Sequence, residues 1–216
     1  MDFEILEELP PLEPLEFFSI EGNLYFLKSP PSSKLMKRHF MLPETSEWLA
    51  EERFADVAAA WSESGLYVDI FVDKPFEEAF YPRFSEGDAV ELFIDTRDLK
   101  TAGFAHRFCH HFLFLPQAVQ GIQAQELTHF RTEDTHPHCD PADLQASAEF
   151  AKNSYALQLF IPAHSLHGYD PFSFDRIGFT YRIHRYKGKP QHFSLSSHHF
   201  SLEQHPRFWA TFKLVQ

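Results

Sequence analysis

At 216 residues the chain is long enough for one sandwich or barrel with an added segment, and short for two full domains. Hydrophobic residues at 44% and charged residues at 23% are ordinary globular usage, which excludes wholesale disorder and a fibrous architecture. A formal net charge of −12, from 31 acidic and 19 basic residues, argues against a nucleic-acid backbone or an anionic membrane surface as partner.

Phenylalanine supplies 25 residues, the type that suits pleated surfaces packed face to face, and tilts the expectation towards β structure. The 14 histidines would carry the formal charge from −12 to +2 if each gained one proton in mild acid. The N-terminal run Met1 to Glu8 is acidic and lacks the basic start and unbroken apolar stretch of a secretory signal. Cys109 and Cys139 are too few for a disulfide scaffold, so free thiols and a cytoplasmic location are expected.

The first 45 residues are punctuated by Pro10, Pro11, Pro14, Pro30, Pro31 and Pro43. They are expected to form an extension packed on a single domain of residues 46–216, with short strands at Leu24 to Leu27 and Arg38 to Leu42. Glu44 to Arg53 is the best short-helix candidate, with Thr45 or Ser46 as cap and acidic residues in its first turn.

From Phe54 onward the dominant period is two. Leu66, Val68, Ile70 and Val72 share one face of a strand, and Tyr67, Asp69 and Phe71 the other. Val90, Leu92 and Ile94 likewise oppose Glu91, Phe93 and Asp95. Phe108 to Leu115 is apolar on both faces apart from His110 and His111, as expected of a strand covered on both sides. Further apolar rows run from Tyr155 to Ile161, from Ile177 to Ile183 against Thr180, Arg182 and His184, and from Phe208 to Leu214. Turn residues cluster at 62–65, 75–87, 97–103, 132–143 and 164–175. About ten strands with such loops predict an all-β fold, a two-sheet antiparallel sandwich of immunoglobulin or jelly-roll type with short helices.

Ala60 Trp61, Gly65 Leu66 Tyr67 Val68, Val72 Asp73 and Gly87 to Asp95 together resemble the first half of the family 9 carbohydrate-binding module and related DOMON-like sandwiches. Tyr155 to Pro162, then Leu166 and Ile177 Gly178 Phe179, continue the resemblance, which spans about residues 54–216. It implies a non-catalytic module for a saccharide or polyol, with a chain end clamped between tryptophans and structural calcium. Neither clamp residue can be placed: Trp61 reads as core, Trp209 lies on the last strand, and Trp48 precedes the matched region. Gln158 stands where many relatives carry an acid. Two other readings remain: a structural or protein-interaction domain that keeps the sandwich without the site, and a haem-binding DOMON domain. Haem needs paired axial ligands, and Met36 and Met41 lie outside the matched region.

The positions facing away from the apolar rows, Tyr67, Asp69, Phe71, Glu91, Phe93, Arg182 and His184, are the expected ligand-binding set. They combine aromatic planes with groups able to hydrogen-bond hydroxyls. A cover of N-terminal segment or helix over that face is the competing expectation.

Cys109, His110 and His111 with His136, His138 and Cys139 offer zinc-ligand types. Adjacent strand residues face opposite ways, so Cys109 and His111 can share an ion whereas Cys109 and His110 cannot. Asp95, Thr96, Arg97 and Asp98 supply only two carboxylates, few for calcium, and Arg97 is expected to pair with one of them. Ser194 to Ser197 near His192, His198 and His199 contain nucleophile and base types without a Gly-x-Ser-x-Gly elbow. No cofactor, metal or catalytic residue is assigned, and no enzyme is expected.

Overall fold

The structure, a computed structural model, describes residues 19–31, 34–127, 134–198 and 201–216. Its strands are β1 (Glu21–Phe26), β2 (Ala55–Ser62), β3 (Gly65–Val72), β4 (Ala89–Asp95), β5 (Cys109–Val119) and β6 (Ile122–Glu126). The second half supplies β7 (Gln145–Phe150), β8 (Tyr155–Pro162), β9 (Arg176–His184), β10 (Gln191–His192) and β11 (Ala210–Val215). Hydrogen bonds link them in the order β6-β5-β4-β9-β11-β1-β2-β3-β8-β7, with β10 added beside β9. This single, nearly closed sheet folds on itself as the two layers of an all-β sandwich.

The period-two rows become the core. Val68 and Ile70 of β3, Leu157 and Leu159 of β8, Leu92 and Ile94 of β4, Phe112 and Phe114 of β5, Phe179 and Ile183 of β9 and Phe212 of β11 form one buried cluster. Each such side chain contributes about 1.5–3 kcal/mol on leaving water. Every pairing is antiparallel except those of β1, which runs parallel to both β11 and β2. That parallel strand corrects the expectation of a wholly antiparallel fold. It arises because β1 arrives from outside the hairpin order and fills the gap between the chain's last strand and its second.

Residues 19–27 therefore do more than pack on the domain: β1 sits inside the sheet, with Leu24 in the core. The strand expected over Arg38 to Leu42 is reduced to one bridge, Met41 to Ala58, because residues 37–40 turn and Leu35 and Phe40 pack onto β2 and β3 instead. The helix expected over Glu44 to Arg53 is a single turn, α1 (Ser46–Leu49). Thr45 does not cap it: its hydroxyl accepts from the Ser194 N–H at 3.2 Å, while Glu44 accepts from the Ser46 N–H. Ala50 then enters the left-handed region, φ 54°, and ends the helix.

Gly65 closes the β2–β3 hairpin at φ +142°, where an added Cβ would lie 2.1 Å from the Ile161 carbonyl oxygen.

Deleting residues 1–44 should abolish cooperative thermal unfolding, since the main-chain edges of β11 and β2 are left unpaired. A truncated chain with an unchanged melting transition, read by near-ultraviolet circular dichroism, would return this segment to the status of a tail.

Candidate functional site

The expected ligand set divides between the outer faces of the two layers. On β3, Tyr67 and Asp69 point away from the main core and lie beneath residues 35–41, in a second cluster with Leu35, Phe40, Ala58 and Ala60. The Tyr67 ring stacks on Phe160 with centroids 4.6 Å apart. Asp69 Oδ2 accepts from the Leu35 N–H at 2.6 Å. Gln158, opposite Asp69 in the strand register, also hydrogen-bonds its carboxylate. Burial still raises the Asp69 carboxyl above its ordinary range. Phe71 is partly buried at the far end of β3.

On β4 and β9 the centre is Glu91, fully buried. Its Oε1 accepts from Arg182 Nε and lies 2.5 Å from His184 Nε2; its Oε2 accepts from Arg182 Nη2 at 3.0 Å and lies 2.6 Å from His111 Nε2. The strand register explains the convergence, since Arg182 is directly opposite Glu91 and His111 is two pairs along on β5, opposite Phe93 and on the same face. Arg182 also reaches Glu203 of the C-terminal cover. Phe93 stacks on His111 with centroids 4.3 Å apart and packs with Cys109, Leu202 and Trp209. Leu195, Leu202 and Trp209 thus roof this face, and Trp209 Nε1 donates to the Leu202 carbonyl at 3.0 Å.

β11, β1 and β2 lie between β9 and β3 in the sheet, so the seven residues do not form one platform. The alternation correctly placed them away from the core; what it could not show is the segments that cover them. Among the described residues, the N-terminal segment covers only the β3 half.

A more open feature lies where β4 ends and β9 begins, a cleft of about 580 Å³. The turn after β4 folds over Gly178, whose missing Cβ leaves room for Asp98 Oδ1 at 3.0 Å. Asp98 pairs with Lys100 at 2.6 Å and accepts from Thr211 Oγ1 at 2.7 Å, so Lys100 takes the role expected of Arg97. The Arg97 guanidinium lies instead over the Phe174 ring, 3.4 Å from its centroid. Phe174 is 39% exposed, and Phe208, Arg176 and Glu21 complete the polar and aromatic lining. Asp95 accepts from the Arg97 and Leu99 N–H groups, and the Thr96 hydroxyl donates to the His167 carbonyl. These oxygens serve a charged turn.

The remaining histidine constellations sort differently from the expected sextet. His110, His136 and Cys139 converge on Glu126, a residue whose role the sequence did not disclose. His111 belongs to Glu91, Cys109 lies beside His106, and His138 is exposed. Burial, then Asp95, pushes the Cys109 thiol up, leaving it unreactive. Glu51, His192 and Ser197 form a line, with Nδ1 2.7 Å from Glu51 Oε1 and Nε2 2.7 Å from Ser197 Oγ. Glu51 also accepts from the His192 N–H at 2.8 Å, so the line ties the chain after α1 to β10 around a fully buried imidazole. His199 lies outside the described residues. Met36 and Met41 pack on the Leu35 cluster.

No protein-family model matches this chain, and no curated protein matches it. Solved structures do. A family 9 carbohydrate-binding module from Caldicellulosiruptor kristjanssonii, in complex with cellotriose, is 14% identical over 90% of this chain and 93% of its own, with a TM-score of 0.61. The same organism's module in complex with glucose is 14% identical over 89% and 95%, TM-score 0.59. A protein from Bacteroides uniformis is 11% identical over 91% and 99%, TM-score 0.52. The chain has the fold of a family 9 module. At this identity the likeness establishes the fold alone.

Glu91→Ala should destabilise the protein by about 3–5 kcal/mol in urea unfolding, because it leaves Arg182 with Glu203 alone beneath the cover and takes the carboxylate from His111 and His184. Burial alone would raise the Glu91 carboxyl, but the donors of His111, His184 and Arg182 hold it well below its ordinary value of 4.5. A carboxyl held lower in the folded than in the unfolded chain stabilises fully above the unfolded value and loses that contribution as pH falls below it. Stability should therefore decline on acidification below about 4.5, and less steeply in Glu91→Gln. Identical acid profiles for the two proteins would remove Glu91 from the account.

Proposed function

We propose that the chain is a non-catalytic saccharide-binding module whose ligand lies in the cleft between the turn after β4 and the segment before β9. The carrying observation is the fold shared with modules held in complex with cellotriose and glucose. The cleft supports this reading chemically. Phe174 offers an exposed ring for the apolar face of a sugar, and Arg176, Glu21 and Lys100 can hydrogen-bond its hydroxyls. Arg97 Nη1 is buried with no hydrogen-bond partner among the described residues, and a shift of its side chain would turn it to a ligand hydroxyl.

The chemistry sets the strength. Stacking on one ring contributes about 0.5–1.5 kcal/mol beyond area, and a hydrogen bond to a charged group about 1.5–3 kcal/mol. Two or three such contacts, after association costs, support micromolar to millimolar binding.

A protein-interaction domain is the second reading. It is favoured by the cover over the expected ligand set and by the tryptophans: Trp61 and Trp209 are buried, and only Trp48, 76% exposed, is open.

Calorimetry with glucose, cellobiose and cellotriose separates the two. Saturable binding that weakens about tenfold in Phe174→Ala is expected. Flat titrations across mono- and oligosaccharides would favour the interaction domain. Binding that is unchanged by Phe174→Ala but lost in Phe71→Ala would keep the sugar and move its site to the β3 face.

A further inference from the structure

Away from the cleft, the chain assembles four metal-ligand groups at the ends of β5 and β6. Glu126 closes β6 opposite Phe112 in the register, so it shares a face with His110, two residues before Phe112. The segment after residue 133 then returns, bringing His136 and Cys139 in a His-x-x-Cys spacing. His110 Nδ1 is 2.6 Å from Glu126 Oε1, and His136 Nε2 is 2.9 Å from the same oxygen. All three ligand atoms lie within 4.8 Å of one another. The Cys139 N–H donates to Glu126 Oε2 at 2.9 Å, and its thiol hydrogen-bonds the same carboxylate.

Tetrahedral zinc, with donors about 2.0–2.3 Å away, separates its ligand atoms by about 3.3–3.7 Å, which small side-chain rotations reach for His110, Glu126 and His136, while the Cys139 thiol turns in from its hydrogen bond to Glu126 as the fourth. The donor set of two imidazoles, one carboxylate and one thiolate suits zinc and not calcium or magnesium, which take oxygen. One carboxylate and one thiolate neutralise the doubly charged ion, and Cys139 releases its proton on binding. A partner for the first ligand is also in place. Metal at His110 Nδ1 requires the ring proton on Nε2, and Nε2 lies 3.4 Å from the His167 carbonyl that would accept it.

We propose that His110, Glu126, His136 and Cys139 form a structural zinc site that fastens the 134–140 segment to the β5–β6 end of the sandwich. Four protein ligands fill the tetrahedron and leave no position open for substrate.

Among the described residues, the other buried group, Asp95, His106 and Cys109, brings its ligand atoms as close together but orients them less well. Both Asp95 oxygens already accept backbone N–H groups. Cys109 Sγ is 3.6 Å and 3.5 Å from the two ring nitrogens of His106, so it lies beside the ring and not along either lone pair. Cys109 is therefore the control.

The test is to strip the full chain with a chelator, titrate it with zinc against a chromophoric competitor, and repeat with Co2+ as spectroscopic probe. One ion per chain is expected, with the strong visible bands of four-coordinate cobalt and a thiolate-to-cobalt charge-transfer band. Zinc should also raise the melting temperature. Cys139→Ser should lose the charge-transfer band, Cys139→Ser and His136→Ala should each weaken zinc at least tenfold, and Cys109→Ser should change neither. A wild-type chain that takes up no stoichiometric ion, or cobalt without the thiolate band, overturns the site; so does a band that survives in Cys139→Ser or disappears in Cys109→Ser. Should the Cys139 and His136 variants fail to fold, the wild-type cobalt spectrum decides alone.

Discussion

Moving a carboxylate from water into the body of a protein costs several kcal/mol, and the loss is recovered only when fixed donors replace the hydration shell. This chain buries carboxylates repeatedly and answers several of them with histidine. Glu91 meets His111 and His184 as well as Arg182; Glu126 meets His110 and His136; Glu51 meets His192; Asp95 faces His106. The pairs lie where covering segments meet the strands, and they fix those segments in register. Histidine suits the task because one ring nitrogen can donate to the carboxylate while the other serves a second partner, as His192 does with Ser197. The histidine count, which composition alone could read only as a sensitivity to mild acid, has this structural meaning.

The fold was largely legible because its signal is repetitive. Each of Leu66 to Val72, Ala89 to Asp95 and Ile177 to Ile183 carries the same alternation several times over, and a one-residue error would turn a whole row to the wrong side. Where a strand lacks alternation, its presence is legible but its place is not: a short strand was expected at Leu24 to Leu27, without its position in the sheet. β1, Glu21–Phe26, has one fully buried residue, Leu24, and its place depends on main-chain pairing to strands at opposite ends of the chain. α1 failed for a related reason, since Thr45 was free to cap a helix in the sequence and is committed to Ser194 in space.

The site was less legible because its evidence in sequence is nearly all non-local. Facing direction was right for Glu91, Phe93 and Arg182, yet the roof over them comes from Leu202 and Trp209, more than one hundred residues after Glu91 and Phe93, through packing that no local pattern encodes. Glu126 gave no sign beside other acids; only the strand register sets it diagonal to His110. The His136 to Cys139 spacing was the one local clue, and the sequence paired it with the wrong neighbours as well as the right one.

Charge distribution separates the two outer faces from the end of the sandwich. On the faces, ionised groups are matched one against another and roofed, so binding there would first have to lift the roof and rehydrate a carboxylate such as Glu91. At the cleft Asp98 is matched by Lys100, but Arg97 is held by an aromatic ring and not by a carboxylate, with one guanidinium nitrogen unmet among the described residues. A polar ligand gains most where donors are already positioned and not yet satisfied, because it need not displace an internal partner. On this ground the proposed ligand is assigned to the strand-end turns, and not to the sheet faces whose alternation is so plain in the sequence.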